Sequence, residues 1–373
     1  MCNNSYNFNK NLLIQLFLDL VKIEGLSGNE KNVASYIKDF LTKLGFEYFE
    51  EDDAHLIDGG NQGNLICPVY GGGDFVLVSH MDTARTTKGI NPVIEDGKIK
   101  TDGKTILGAD NRAGITAILY ALQHALNEGK KIKPHTIVFT ICEETSLSGS
   151  KNLKLNNQNI RKGFVFDSHL EPGYFIVASP GALFFNFIVK GKPAHSGIEP
   201  EKGINAIQAA ANAISKIKQG RLDDSTTLNI GKIKGGEAVN VIPAYVEIEG
   251  EIRSFELEKI QKYFNELTSI FKDETSASGC EFIMNSSWDF KPYKISSESE
   301  VYRSIKEAIE KSNLLPKESI SFGGSDANSF NARGIECVNI GIGAKNPHSN
   351  DEYILIEHLM QASIIAYHLI VEE

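Results

Sequence analysis

Three short stretches of the sequence place ligand-type side chains where an apolar run ends. "VLVSHMDTA" closes on His80 and Asp82, "FTICEETSLSGS" turns acidic at Glu143 and Glu144, and "GFVFDSH" ends on Asp167. Asp110 in "LGADNRAG" stands at the mouth of a long helical pattern, and His348 in "NPHSNDEYI" lies on a loop. Residues i and i+2 of an extended chain share a face, so Asp82 can reach the ring of His80. A carboxylate that accepts the second ring N–H is the usual support of a metal-bound imidazole. Neighbours on a strand point to opposite faces, so Glu143 and Glu144 cannot act as one doubled charge; the pair predicts two separate jobs. This many carboxylates gathered without a cation would repel one another strongly. A set of His, Asp and Glu with no thiolate suits zinc, cobalt or manganese.

Each of these residues also has an ordinary reading. Two adjacent glutamates often mark a solvated loop, and Asp110 is well placed as a helix N-cap. Cys142, beside Glu143, reads as a packed side chain rather than a thiol nucleophile. His55, His124, His135, His358 and His368 have no acidic neighbours like those of His80, whereas His169 shares a face with Asp167. What favours a metal site is the joint appearance of the acidic and histidine groups at successive strand ends. In open α/β sheets that is where sites form.

The elements that must position them follow from periodicity. "EKNVASYIKDFLTKLG" reads as a helix ended by Gly45, and "ADNRAGITAILYALQHALNEG" as a long helix entered at Asp110 and stopped at Gly129. "DFVLVSH", "HTIVFTICEE", "GFVFDSH" and "YFIVASP" read as strands, the first apolar enough to be buried on both faces. Alternating helices and strands imply a mostly parallel sheet covered by helices. Between 181 and 291 the order becomes strand-helix-strand-strand-helix-strand, the split unit of ferredoxin-like α+β domains. The α/β style then resumes. The expected organisation is a catalytic domain of 1–180 and 292–373 with a smaller domain of 181–291 inserted into it.

Composition narrows the function. A chain of 373 residues with 41% hydrophobic content can bury a large core in more than one domain. Net charge is −10 and no stripe of Lys or Arg appears, which disfavours nucleic acid and anionic membranes. Cys2, Cys67, Cys142, Cys280 and Cys337 form no CxxC pair, as expected of inert thiols in a reducing compartment. "NLLIQLFLDLVKI" is interrupted by Gln15 and Asp19 and reads as an amphipathic helix, not an export signal. The expected location is the cytoplasm.

Taken together, "VSHMDTA", "TDGKTILGADNRAG", "EET", "FVFDSH", "GKPAHSG", "GRLDDSTTLNIGKIKGGEAVNVIP" and "NPHSNDEYI" resemble the peptidase T-like tripeptide aminopeptidases. These belong to the co-catalytic dizinc metallopeptidase family that also contains aminoacylase and carboxypeptidase G. The resemblance spans nearly the whole chain in the same order. It implies a zinc-exopeptidase-like catalytic domain with an inserted lid and dimerisation domain, and two Zn²⁺ per chain that Co²⁺ or Mn²⁺ can replace. It also implies that His80, Asp110 and Asp167 hold one ion, and that Asp110 bridges to a second held by Glu144 and His348. Glu143 is then the general base and acid, working with a metal-bridging hydroxide, and Asp82 supports His80. From the inserted domain, His195 would stabilise the oxyanion, while Asn240 and Arg253 would bind the substrate's free C-terminal carboxylate. Relatives hold the bond matching Asp110–Asn111 cis. Dimeric relatives often use the histidine matching His195 in the neighbouring subunit's site, which implies a homodimer. Two departures are Asn111–Arg112, where relatives more often read Asp-Lys, and His169.

The implied activity is release of the N-terminal residue from tripeptides. The alternative within the same chemistry is an amidohydrolase or deacylase acting on N-acyl or N-carbamoyl amino acids or on dipeptides. A non-catalytic peptide-binding relative would usually lack a ligand or the base, and here every such position is filled.

Overall fold

In the computed structural model, which describes residues 8–155 and 159–372, the strand Phe75–His80 is buried at all six positions. It lies between two parallel neighbours, His135–Thr140 and Lys162–Ser168. An all-apolar strand suits this central place because both of its faces are covered. Glu336–Gly341 continues the parallel set beside Lys162–Ser168. Leu65–Val69 and Tyr174–Ser179 flank the set antiparallel. The result is a mixed sheet with a mostly parallel centre. Its register sets His80 opposite Thr140 and Val78 opposite Val165, so His80 and Asp167 finish at the same carboxyl edge.

Helix Ala109–Asn127 packs against this sheet and against helices Lys10–Val21 and Ile356–Ile370. Gly114 permits the close approach, since a Cβ there would collide with the Phe166 carbonyl. Lys10–Val21 buries Leu13, Leu16, Phe17, Leu20 and Val21 and leaves Leu12 exposed, an amphipathic helix. A separate small sheet joins Pro92–Glu95, Lys98–Thr101, Tyr353–Leu355 and Ala344–Lys345. Its first hairpin turns at Asp96–Gly97, both with positive φ (48° and 74°). Its other end presents the 346–352 loop.

The chain divides into two compact units: residues up to Ala178 with those from Lys294 on, and Ser179–Tyr293. The second unit has strands Gly181–Lys190, Thr226–Gly235, Tyr245–Ser254 and Glu281–Phe290, with helices Ala206–Ser215 and Leu257–Ala277. Its sheet is antiparallel, with Gly181–Lys190 between Tyr245–Ser254 and Glu281–Phe290. Counting those four strands along the chain, the spatial order is 2-3-1-4, the ferredoxin-like arrangement, with a short extra strand Gly220–Asp223 on the edge. Phe185, Phe187, Val246, Ile248, Phe264 and Phe271 lie in its core.

Among the described residues no helix is long and apolar enough to cross a membrane. Cys67, Cys142, Cys280 and Cys337 are free thiols. Cys2 lies outside the described residues.

Candidate active site

The sheet edge gathers the predicted ligands. His80 Nε2 lies 3.1 Å from Asp110 Oδ1 and 3.2 Å from Asp167 Oδ1. His348 Nε2 lies 2.9 Å from Glu144 Oε1 and 3.4 Å from Asp110 Oδ2. Asp110 therefore faces both imidazoles, one with each oxygen. His80, Glu143 and Glu144 also bring ligand atoms within 4.8 Å of one another. His169 is exposed and belongs to none of these groups.

Backbone geometry aims each group. Asp110 (φ −84°, ψ 101°) and Asn111 (φ −124°, ψ 37°) are not helical, and the peptide bond between them is cis. The expected entry of the helix is Asp110, with an N-cap as that residue's ordinary alternative; regular helix begins only after Asn111. Asn111 does the capping instead, its side chain accepting the Gly114 N–H at 3.0 Å. Asn111 Nδ2 also donates to the Phe166 carbonyl at 2.7 Å and to Asp167 Oδ1 at 3.0 Å. That leaves the Asp110 carboxylate directed at the two histidines.

The glutamate pair needs a second correction. Strand His135–Thr140 stops before it, and Cys142 takes a left-handed conformation (φ 49°). Glu143 and Glu144 thus sit on a turn, and strand pleating does not separate them. Asp82 holds that turn. Its Oδ1 accepts the Glu143 N–H at 3.0 Å and its Oδ2 accepts the Glu144 N–H at 3.1 Å, with the Ser27 hydroxyl at 2.7 Å. Asp82 Oδ1 is also 3.3 Å from His80 Nδ1, and the Asp82 carbonyl is 3.1 Å from the same nitrogen. One buried carboxylate orients both the imidazole and the acidic turn.

Three supports were given no role by the sequence. Glu30, fully buried, accepts the N–H groups of Gly28 (2.8 Å) and Cys142 (3.1 Å). Arg112, also fully buried, donates to the Met81 carbonyl. Burial lowers its pKa to about 10, against the pull of Asp82 and Glu30, so it stays charged at neutral pH. Asp326 accepts the Thr140 hydroxyl at 2.5 Å, and burial pushes it up to about 6. The Cys142 thiol is buried 3.5 Å from Glu30 and pushed up to about 12, first by burial and then by nearby carboxylates. It is not a nucleophile.

The electrostatics of the bare cluster fit a cation site. Burial, then the Asp167 charge, raises Glu143 well above the carboxylate range, and burial also raises Glu144 and Asp167. Asp110 goes the other way: His348 and His80 outweigh its burial. Burial opposes charge on His80, yet Asp110, Asp167 and Asp82 raise its pKa well above the usual value. His348 is raised to about 10 by Asp110 and Glu144. Four carboxylates thus share one pocket with two imidazoles, and two divalent ions would balance their charge with both rings neutral. Glu144 Oε1 adds a geometric sign: it is buried and lies close to His348 Nε2 but makes no hydrogen bond. Two atoms that approach without hydrogen-bond geometry suit ligands aimed at a shared centre.

In the second unit, His195 and Asn240 come together on two paired loops, through Ser196 N–H to the Asn240 carbonyl (3.0 Å) and Ile242 N–H to the Ala194 carbonyl (2.8 Å). Both residues are exposed. His195 Nδ1 accepts the Gly197 N–H at 3.2 Å, so a neutral ring carries its proton on Nε2 and presents a donor. Arg253 is on strand Tyr245–Ser254, its guanidinium held by Glu251 through Nε–Oε1 (3.1 Å) and a second bond to Oε2 (3.0 Å).

Residues 177–278 match the peptidase dimerisation domain of the M20 family. Over 98% of its length the chain is 34% identical to YqjE of Bacillus subtilis, an uncharacterised protein of which it covers 99%. It superposes on the aminopeptidase PepT of Bacillus cereus with a TM-score of 0.89 and 32% identity, over 97% of this chain and 98% of that one. A tripeptidase from Staphylococcus aureus gives a TM-score of 0.88 and 31% identity over the same shares. The chain belongs to the M20 family of metal-dependent peptidases. Its fold is that of the PepT-like members, and it is a peptidase-type hydrolase.

Proposed function

We propose that this protein is a dizinc exopeptidase that releases the N-terminal residue from short peptides, tripeptides foremost. The observation that carries the reading is the largely buried cluster of His80, Asp110, Asp167 and Glu144 with the exposed His348 at its rim, and a fourth acid, Glu143, beside it. His80, Asp110 and Asp167 would hold one zinc, and Asp110, Glu144 and His348 the other. When bound, such ions polarise a carbonyl and make a water acidic enough to ionise near neutral pH.

The chain's own groups do the rest. Glu143 accepts the proton of the attacking water and returns it to the leaving amine. Its buried position raises its proton affinity, which suits a group that must hold and then release a proton. Asp82 keeps Glu143 and His80 in fixed relation through the contacts described above. His195 offers its Nε2–H to the developing oxyanion, and Asn240 and Arg253 take the terminal carboxylate of the peptide. That clamp favours short substrates with a free C-terminus. Full-length likeness to a tripeptidase and an aminopeptidase supports tripeptides over N-acyl amino acids.

The chain would act as a homodimer, with His195 serving the partner's site. Ile198, Ile207, Ile233 and Val239 are exposed in the second unit, an apolar set suited to a second copy.

A panel of tripeptides, dipeptides and N-acetyl amino acids, assayed with Zn²⁺ or Co²⁺, tests the assignment. The expected order is tripeptides first by kcat/KM, with loss of activity when the N-terminus is acetylated. Faster turnover of the N-acyl amino acids would contradict it.

A further inference from the structure

Asp110 and His348 come from distant parts of the chain, yet they must face each other to within a fraction of an ångström for both to reach one cation. We propose that Glu352 is the positioning residue that sets Asp110 against His348 and so shapes the second cation position. This rests on the two-cation reading of the site.

Glu352 is 1% exposed. Its Oε2 accepts the Gly108 N–H at 2.7 Å and its Oε1 accepts the Asp110 N–H at 3.0 Å, bonds that span 244 and 242 residues of sequence. Both oxygens are therefore spent on the backbone of the segment that delivers Asp110. Gly108, with φ of 72°, turns that segment so that the two N–H groups converge. Bonds from backbone N–H to a carboxylate are among the stronger neutral-to-charged contacts.

Glu352 is also part of the His348 loop. Strands Ala344–Lys345 and Tyr353–Leu355 pair at its base, and the Glu352 N–H closes the loop onto the Ser349 carbonyl at 3.1 Å. The remaining ties are exposed: Arg85 donates to the His348 carbonyl (3.2 Å) and to Asn350 Oδ1 (3.0 Å), and Asn350 Nδ2 donates to the Gly103 carbonyl (3.0 Å). Among these ties to the loop, Glu352 makes the buried one, and it ends on Asp110 itself. The chemistry demands an acid here. A glutamine would set an amide NH₂ against one of two N–H donors, keeping one bond and making the other repulsive.

Wild type and Glu352→Gln, stripped of metal, are titrated with Co²⁺, following visible absorption and then the ions retained after gel filtration. Wild type is expected to retain two ions. The variant should bind the second ion ten- to a hundredfold more weakly, the usual effect of losing a group that orients a ligand, and the first, which keeps His80 and Asp167, clearly less so. Its cobalt spectrum should change mainly for the second ion. Glu352→Asp, which keeps the charge and both acceptors but is shorter, should fall between the two, and it carries the test if the glutamine variant does not fold. Wild-type affinity for both ions in the variants overturns the proposal, as does equal weakening of both ions. Wild type retaining fewer than two ions overturns the two-cation reading itself, and the proposal with it.

Discussion

The acidic cluster of the first unit and the polar trio of the second are built on opposite plans. Around His80, Asp110, Glu143 and Glu144, the groups are buried or half-buried and rest on buried supports: Asp82 under the turn, Asn111 against Asp167, Glu352 on the Asp110 backbone. His195 and Asn240 are exposed, and Arg253 is engaged by a neighbour on its own strand. The first arrangement is preorganised, with the cost of gathering like charges already met during folding. The second leaves His195 and Asn240 facing solvent and Arg253 on a single neighbouring carboxylate. Changes in the first kind should cost turnover or a whole ion, whereas changes in the second should cost substrate affinity by degrees.

The largest effect should come from removing the cations. A chelator should abolish activity, and Zn²⁺ or Co²⁺ should restore it. Reloading should also release protons. In the bare cluster the His348 pKa of about 10 keeps the ring charged at neutral pH, whereas a ligand must be neutral. The charged ring favours the metal-free fold fully below its ordinary pKa of 6.5, and that contribution is lost as pH rises through about 10. Metal affinity should therefore rise with pH across this window, by about tenfold per unit for each proton displaced. Calorimetry in buffers of different ionisation enthalpy reads the proton count. Uptake of metal with no proton release would contradict the assignment of His348.

Next in size is Arg253→Ala. It should raise KM about 10- to 100-fold for peptides with a free C-terminus, with metal content unchanged, as expected for a hydrogen bond to a charged group. Peptide amides should show the same penalty in wild type and little further loss in the variant. If the variant loses equally on free and amidated peptides, Arg253 does not bind the carboxylate.

An intermediate test concerns His195. His195→Ala and Glu143→Gln chains, each inactive alone, should regain about a quarter of wild-type activity when mixed equally with free exchange, if His195 acts across the dimer. No recovery would assign His195 to its own chain.

The smallest expected effect is that of Glu251→Gln. Freeing the Arg253 guanidinium from a competing carboxylate should lower KM by about two- to fivefold, within the range of partly exposed ion pairs. An increase in KM would instead make Glu251 a support that orients the arginine.

The contrast between the regions also explains what the sequence revealed. His80, Asp110, Asp167, Glu144 and His348 stood out in the sequence only as a joint set, since each has an ordinary reading alone, and the structure brings their ligand atoms together. The parallel centre and the ferredoxin-like unit were legible because apolar periodicity sets both. Glu30 in "SGNEKN" and Glu352 in "SNDEYI" look like surface charges, and only burial against distant backbone reveals their work. The Glu143–Glu144 turn was misread as strand because the left-handed Cys142 that ends the strand has no glycine to announce it. Asp96–Gly97 is a hairpin signal left unused in the sequence reading, and it marks the small sheet that carries the His348 loop.

The most direct test of the account is Glu143→Gln, measured for metal content and turnover on the same preparation. The side chain keeps its shape and loses its capacity to take a proton. We expect two ions per chain, as in wild type, with kcat lower by about 10²- to 10⁴-fold, while Glu144→Gln should lose one ion. A Glu143→Gln protein that keeps wild-type turnover, or that loses metal as Glu144→Gln does, would contradict the division of labour between the two glutamates.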